Sequence, residues 1–392
     1  MEVLVPPVLA VPAVTRLELL RGGIARQPES TQLRERLAAL LFDRDRFDEA
    51  AELLGEPGPE DSAGEHLLLA QILLSRRGAG DAERAKVHAT WAAVRADIPA
   101  QHEQALLAQA RALLQLAHDG EGLELLKGIL AVNPDQHGAF RTLTDTLLRR
   151  GEGEAVRALV EQMERAGTSH PRRLGALMLA KVQCGDLAAA RALSGIDLAA
   201  VTTLAVPPGW SDLAAFNAAL QAEAEGDPDL RSGRHGTSSR ETIRVDHPQR
   251  AGAPAFAALH GQIAAEVQRR IAELDRIDHP WVAARPERLV MRSWCVMTGA
   301  EGFEEWHNHP AGWMSGGYYV AVPEVRNERT GSLAFGVPPR LAGAEASAAF
   351  GEVLVPPSPG MLALFPSHAY HRTYPHGQPG RRICVAFDLE PG

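Results

Sequence analysis

With 392 residues, 45% hydrophobic and 23% charged, the chain has the composition of a soluble globular protein, which excludes wholesale disorder and leaves room for two cores. A net charge of −9 and a pI near 5.9 argue against a general electrostatic grip on nucleic acid. Cys184, Cys295 and Cys384 lie far apart without CxxC spacing, which fits neither a disulfide framework nor a cysteine zinc site and predicts reduced thiols in a cytoplasm.

The opening stretch MEVLVPPVLAVPAVTRLELL lacks a basic leader and is interrupted by proline, so no signal peptide is expected. No run approaches the roughly 18 apolar residues of a membrane-crossing helix. From about residue 13 to 197 the chain is rich in Ala, Leu, Arg and Glu, with apolar positions three and four apart, which is helical patterning. Leu33, Leu37, Leu40 and Leu41 form one stripe, the polar turn Asp43 to Arg46 follows, and Phe47, Ala50 and Leu54 form the next: a helical hairpin. The pattern returns with Phe140, Leu143 and Leu147, a turn at Arg150 to Gly153, then Val156, Leu159 and Met163. A weaker copy runs from Pro171 to Leu193, turning at Cys184, Gly185 and Asp186. These units resemble degenerate tetratricopeptide repeats, which implies a TPR-like helical solenoid able to hold a peptide or form a homodimer. An ordinary Ala-rich helical bundle is the alternative.

The composition shifts near Val206-Pro207-Pro208-Gly209-Trp210, so the expected domains are 1–200, helical, and 201–392. Helices are expected over Leu213 to Glu225 and Ala253 to Ile277, and the polar stretch Asp227 to Pro254 between them reads as loops, a candidate lid over the site. Beyond Pro286, short β-rich runs follow at Arg288 to Thr298, Ser315 to Val322, Gly331 to Phe335, Met361 to Phe365 and Arg382 to Leu389, with Gly- and Pro-rich turns between them. The fold class expected is α+β: a helical repeat unit followed by a double-stranded β-helix, or jelly roll, with flanking helices.

Phe303 to Val322, FEEWHNHPAGWMSGGYYVAV, carries the chemistry. Residues two apart on a strand share a side, so His307 and His309 can present two imidazoles to one ion. His371, on a later strand, can complete a facial set with positions left open. His368 and His376 flank it in turn-like sequence as weaker candidates, and His235, His247, His260 and His279 read as structural or solvent-exposed. Trp294, Trp306 and Trp313 read as packing or cavity walls, while Ser315 and Arg292 could face the cavity.

The order HxHP, SGGYYV, the Gly331 to Phe335 run, PSPGMLALFPS, His371 and RICVAF resembles the 2-oxoglutarate- and Fe(II)-dependent oxygenase family over about residues 206 to 390. That resemblance implies Fe(II) held by His307, His309 and His371, with 2-oxoglutarate and O2 as cosubstrates. His309 stands where most relatives have Asp or Glu, which leaves the site one negative charge poorer and admits zinc or nickel as rivals for it. Halogenating relatives have a small residue there, so hydroxylation is the reaction implied. The family places Arg382 on the far carboxylate of 2-oxoglutarate through a bidentate fork, with Arg381 facing the other way, and a Tyr at position 319 on the same carboxylate; a core aromatic is the other reading of Tyr319.

The activity expected is hydroxylation of a C–H bond, with a peptide or protein side chain as substrate, no nucleic acid and no membrane partner. The rivals are an oxygenase acting on a free amino acid or small metabolite, a catalytically silent adaptor, and a three-histidine cupin-type dioxygenase that would not consume 2-oxoglutarate.

Overall fold

The computed structural model describes residues 3–6, 11–167, 172–232, 238–248 and 252–392. Two compact units divide between Thr146 and Leu147. In the first, the helices among the described residues are α1 (Ala13–Arg26), α2 (Thr31–Asp43), α3 (Phe47–Leu54), α4 (Ala63–Arg76), α5 (Asp81–Arg95), α6 (Pro99–Gln115), α7 (Asp119–Val132) and α8 (His137–Arg149), whose last turn lies in the second unit. From α1 to α7 each helix packs on the next, and α4 also touches α2 and α6. The contacts are made by small residues: Ala38, Ala50, Ala70, Ala85, Ala89 and Ala112 are fully buried among Leu37, Leu41, Leu69 and Leu73, so the helix axes can approach closely. Ser62 starts α4 with a capping box, its hydroxyl accepting from the Glu65 amide at 3.1 Å while the Glu65 carboxylate accepts from the Ser62 amide. Arg76 forks onto buried Asp81 with contacts of 2.8 and 2.6 Å, which holds that carboxyl below its ordinary range.

The second unit contains β1 (Val3–Leu4), α9 (Gly153–Arg165), α10 (Arg173–Gln183), α11 (Leu187–Ser194), β2 (Ala200–Thr203), α12 (Leu213–Glu225), β3 (Arg231–Ser232), β4 (Ser239–Val245), α13 (Pro254–Leu274), β5 (Leu289–Glu304), β6 (Met314–Ala321), β7 (Leu333–Phe335), β8 (Val353–Val355), β9 (Met361–Pro366), β10 (His371–Thr373) and β11 (Arg382–Pro391), with short helical turns at 280–283 and 339–350. The large sheet runs β2-β9-β6-β11-β5-β4-β3 and is antiparallel apart from β1, which joins β5 in parallel; a three-stranded antiparallel sheet runs β10-β7-β8. Together they resemble a jelly roll. Alternation along the strands divides the large sheet's residues: Cys295, Met297, Tyr318, Val385, Phe387 and Leu389 enter a core with Phe256, Leu259, Ile263 and Val267 of α13 and Phe216 and Leu220 of α12. The opposite face carries the polar residues described below.

The structure places two boundaries differently from the sequence reading. The division falls near 146, not 200, because α10, α11 and β2 pack on the sheet unit: Leu174 lies in its core, Gln183 donates to the Leu341 carbonyl at 2.6 Å, His368 donates to the Leu193 carbonyl at 2.9 Å, and β2 pairs with β9. The candidate lid over Asp227 to Pro254 contains β3 and β4, with β4 in register against β5 from Ser239↔Glu304 to Val245↔Cys295. A strand fixed by a ladder on β5 is not free to act as a lid; its exposed Arg240 and Glu241 gave the stretch a loop's polarity. Residues 233–237, with His235, and 249–251 of that stretch, and Pro171 of the third helical hairpin, lie outside the described residues.

Two histidines of this unit make its stability pH-dependent. His260, 2% exposed, shares a 2.9 Å hydrogen bond with the Ser293 hydroxyl, and burial pushes its pKa down to about 4; burial does the same to His368, also to about 4. The unfolded chain protonates such rings near 6.5, so their contribution is complete above that pH and is lost as pH falls toward 4, about 3 kcal/mol for each. Urea unfolding of metal-free protein at pH 7 and pH 4.5 should show the acid sample markedly weaker, with a smaller difference in His368→Gln. Equal stability at the two pH values would contradict this.

Candidate metal centre

His307 and His371 face each other across the two sheets as a bridge pair: the His307 amide donates to the His371 carbonyl at 2.9 Å and the His371 amide to the His307 carbonyl at 2.8 Å. His309 follows two residues on, its amide held by the Ser367 carbonyl at 2.9 Å. Backbone pairing therefore brings the three rings together. One nitrogen from each lies within 4.8 Å of the others, and the ring centroids are 4.2 to 5.0 Å apart.

The hydrogen bonds decide which nitrogens converge. Nδ1–H of His307 donates to the Glu305 carbonyl at 2.7 Å, Nδ1–H of His371 to the Ala369 carbonyl at 3.0 Å, and Nδ1–H of His309 to the Asp388 carboxylate at 2.8 to 2.9 Å. Acceptors at all three Nδ1 atoms fix the tautomers and leave each Nε2 with its lone pair. The Nε2 atoms of His309 and His371 are 3.2 Å apart. Two lone pairs at that distance repel, whereas ligand nitrogens about 2.1 Å from one ion and at right angles are about 3 Å apart. The donor set thus fits a divalent metal, with every ring held from behind as metal-binding histidines are.

Burial holds His371 well below the ordinary histidine range, reinforced by the other two rings, and lowers His307 to about 4. Burial opposes a charge on His309 as well, but the Asp388 carboxylate outweighs it and raises that ring's pKa. A position that attracts a proton also attracts a cation.

The other expected site residues lie on the same sheet face. Directly paired residues project to one side, which gives the rows Arg292–Asp388–Ser315–Phe365, Trp294–Ala386–Gly317–Ala363, Val296–Cys384–Tyr319 and Thr298–Arg382. Along β11 only Ala386 and Cys384 stand on this face between Asp388 and Arg382. At Gly317 a Cβ would crowd Cys384 Sγ at 3.0 Å; its neighbour Gly316 faces the core, where a Cβ would meet Phe387 at 2.5 Å and the Ala363 carbonyl at 2.6 Å.

Arg382 is 3% exposed, and its Nη1 donates to the Gly331 and Tyr374 carbonyls at 2.9 and 3.2 Å while Nη2 donates to the Thr373 hydroxyl at 2.9 Å. Its Nε–H has no hydrogen-bond partner among the described residues. Thr373 is two residues beyond His371 on β10, one same-face step of roughly 7 Å. Arg381 points outward and pairs with Glu225 at 3.3 Å. Tyr319 is 3% exposed, its hydroxyl has no hydrogen-bond partner among the described residues, and burial raises its pKa, with the Arg382 charge close enough to oppose the shift.

Trp294 stacks on His309 at 5.4 Å and 16° and walls the site. Trp306 packs against Gly336 under Arg372, and Trp313 stacks on Trp281 in the core. Arg292 is exposed and paired with Glu390 at 2.8 Å, and Ser315 lies inside on Asp388. His368 and His376 bond backbone carbonyls away from the three rings, His279 caps the helical turn at 280–283, and His247 is exposed. Sequence reasoning missed Asp388, Ser367 and Thr373. A visible signal for the first was a charge at an inward position of RICVAFD, in phase with Arg382.

Residues 292–388, about a quarter of the chain, match the family model described as "Putative 2OG-Fe(II) oxygenase". None of the curated proteins matches the chain. Solved structures similar to it include a prolyl-4-hydroxylase from Pseudomonas putida (17% identity, 55% of this chain and 99% of the other, TM-score 0.32). A Trichoplax adhaerens prolyl hydroxylase in complex with a hypoxia inducible factor peptide fragment is another (12%, 56% and 90%, 0.34). HygX from Streptomyces hygroscopicus, with nickel, 2-oxoglutarate and hygromycin B bound, is a third (15%, 51% and 86%, 0.34). Among the described residues, no helix is long and apolar enough to cross a membrane.

Proposed function

We propose that this chain is an Fe(II)- and 2-oxoglutarate-dependent dioxygenase that hydroxylates a C–H bond. The observation that carries the reading is the convergence of three Nε2 lone pairs whose Nδ1–H groups are all tied back. The oxygenase family match over 292–388 contains all three histidines and Arg382. In this reading His307, His309 and His371 hold Fe(II), and the buried Arg382, hydrogen-bonded to Thr373 two residues beyond His371, pairs with the far carboxylate of 2-oxoglutarate. Tyr319 donates its unpartnered hydroxyl to the same carboxylate. When bound, the iron supplies oxidative decarboxylation of 2-oxoglutarate coupled to oxidation of a C–H bond. The chain's own work is to orient the cosubstrate between two fixed points and to wall off water with Trp294, Phe335 and Phe365.

The substrate proposed is a protein or peptide side chain held by TPR-like repeats. Supporting this, the turns after α6, α8 and α10 have one form: a residue at positive φ, Ala117 (61°), Gly151 (77°) and Gly185 (80°), followed by an amide that donates back to the carbonyl five residues earlier, His118 to Leu113, Glu152 to Leu147 and Asp186 to Lys181. These turns recur every 34 residues, the tetratricopeptide period.

The full chain given Fe(II), 2-oxoglutarate and O2 should form succinate slowly alone and several-fold faster with a peptide panel. No succinate above a metal-free control would sink the oxygenase reading. Stimulation by free amino acids but not by peptides would transfer the substrate to the small-molecule class.

A further inference from the structure

We infer that Asp388 supplies this metal centre with its carboxylate from behind a ligand: it is a positioning residue that acts through His309 and restores the negative charge that three neutral imidazoles lack. Asp388 is 9% exposed, and among the described residues the basic group it contacts is the His309 ring. Both carboxylate oxygens approach His309 Nδ1, Oδ1 at 2.8 Å and Oδ2 at 2.9 Å. Arg292, its register neighbour, is turned to Glu390 instead.

The carboxylate is fixed from two further strands. The Ser315 hydroxyl on β6 donates to Oδ1 at 2.6 Å, and Ser315 Oγ in turn lies 2.7 Å from Ser367 Oγ at the end of β9. The carbonyl of that same Ser367 holds the His309 amide, so one residue sets both the backbone and, through Ser315 and Asp388, the ring of His309. Gly312 closes over this network, where a Cβ would be 2.6 Å from Ser367 Oγ. A buried carboxylate with no cation is costly. Turned toward the back of an imidazole whose Nε2 faces two others, it gains a divalent cation on the far side of the ring and makes that ring a stronger ligand.

The inference rests on the metal-centre part of the proposed function, and metal affinity rather than turnover tests it. Metal-stripped full chain is titrated with Co(II) and followed by its visible absorption. Asp388→Asn keeps an acceptor for Nδ1–H without the charge and should weaken Co(II) binding about 10- to 100-fold, while the metal-free variant melts no lower than the parent. In a His309→Gln background the same substitution should change affinity less than threefold, because its route to the metal is gone. If Asp388→Asn does not fold, Asp388→Ser takes its place with the same expectations. A loss under threefold in the single variant, or an undiminished loss in the His309→Gln background, overturns the role of Asp388 alone. A parent chain that does not bind Co(II) overturns the metal reading with it.

Discussion

His371→Ala should abolish stoichiometric Co(II) binding, with affinity down at least about 100-fold, more than a supporting residue costs because a ligand itself is removed. Succinate formation should fall below detection. The fold should survive: the bridge between His307 and His371 uses their backbone amides and carbonyls, and the ring's apolar contacts are with Phe365 and Phe335 at centroid distances of 4.7 and 6.2 Å. His368→Gln is the control, since His368 donates to the Leu193 carbonyl and takes no part in the cluster. Parent-like Co(II) affinity in His371→Ala, or a matching loss in His368→Gln, would mean that the three rings are not the site.

The histidine cluster was legible because its information is local. HxH on an extended strand puts two rings on one side, and strand phase lets only one of Arg381 and Arg382 point inward. The helical hairpins were legible in the same way, through apolar stripes and polar turns. What could not be read is information held between distant segments. The amphipathic stripes of α10 and α11 announce helices without saying which core they join, so the division at 146 stayed hidden. Strand β4 was missed because its residues alternate between a core and a polar face; Thr242 and Arg244 pair with Thr298 and Val296 and so belong to the site side. Asp388 was hidden for a related reason. Its meaning depends on the β6 and β11 register that sets it against Ser315, and on the corner of β9 that carries Ser367. His309 is plain in the sequence, but that a carboxylate 79 residues along the chain stands behind its ring emerges only once the sheet is assembled.

Arg382→Gln should leave Co(II) affinity within threefold of the parent and raise the KM for 2-oxoglutarate at least about 100-fold, the scale of a buried charge pair losing one partner, about 3–5 kcal/mol. Glutamine retains an amide donor for the Thr373 hydroxyl or the Gly331 carbonyl, so the interior contacts are partly kept while the charge is lost. The guanidinium's three contacts are all to neutral acceptors. In the proposed reading, a buried cation with no carboxylate partner among the described residues makes this position an anion site for the far end of the dicarboxylate rather than a strut. Adding guanidinium ion to the variant should recover part of the lost affinity. An unchanged KM in a folded, metal-binding Arg382→Gln protein would show that 2-oxoglutarate is held elsewhere; lost Co(II) binding would show that Arg382 braces β10 and the His371 ring through Thr373. The two outcomes separate because the imidazoles and Arg382 belong to different rows of the same sheet face.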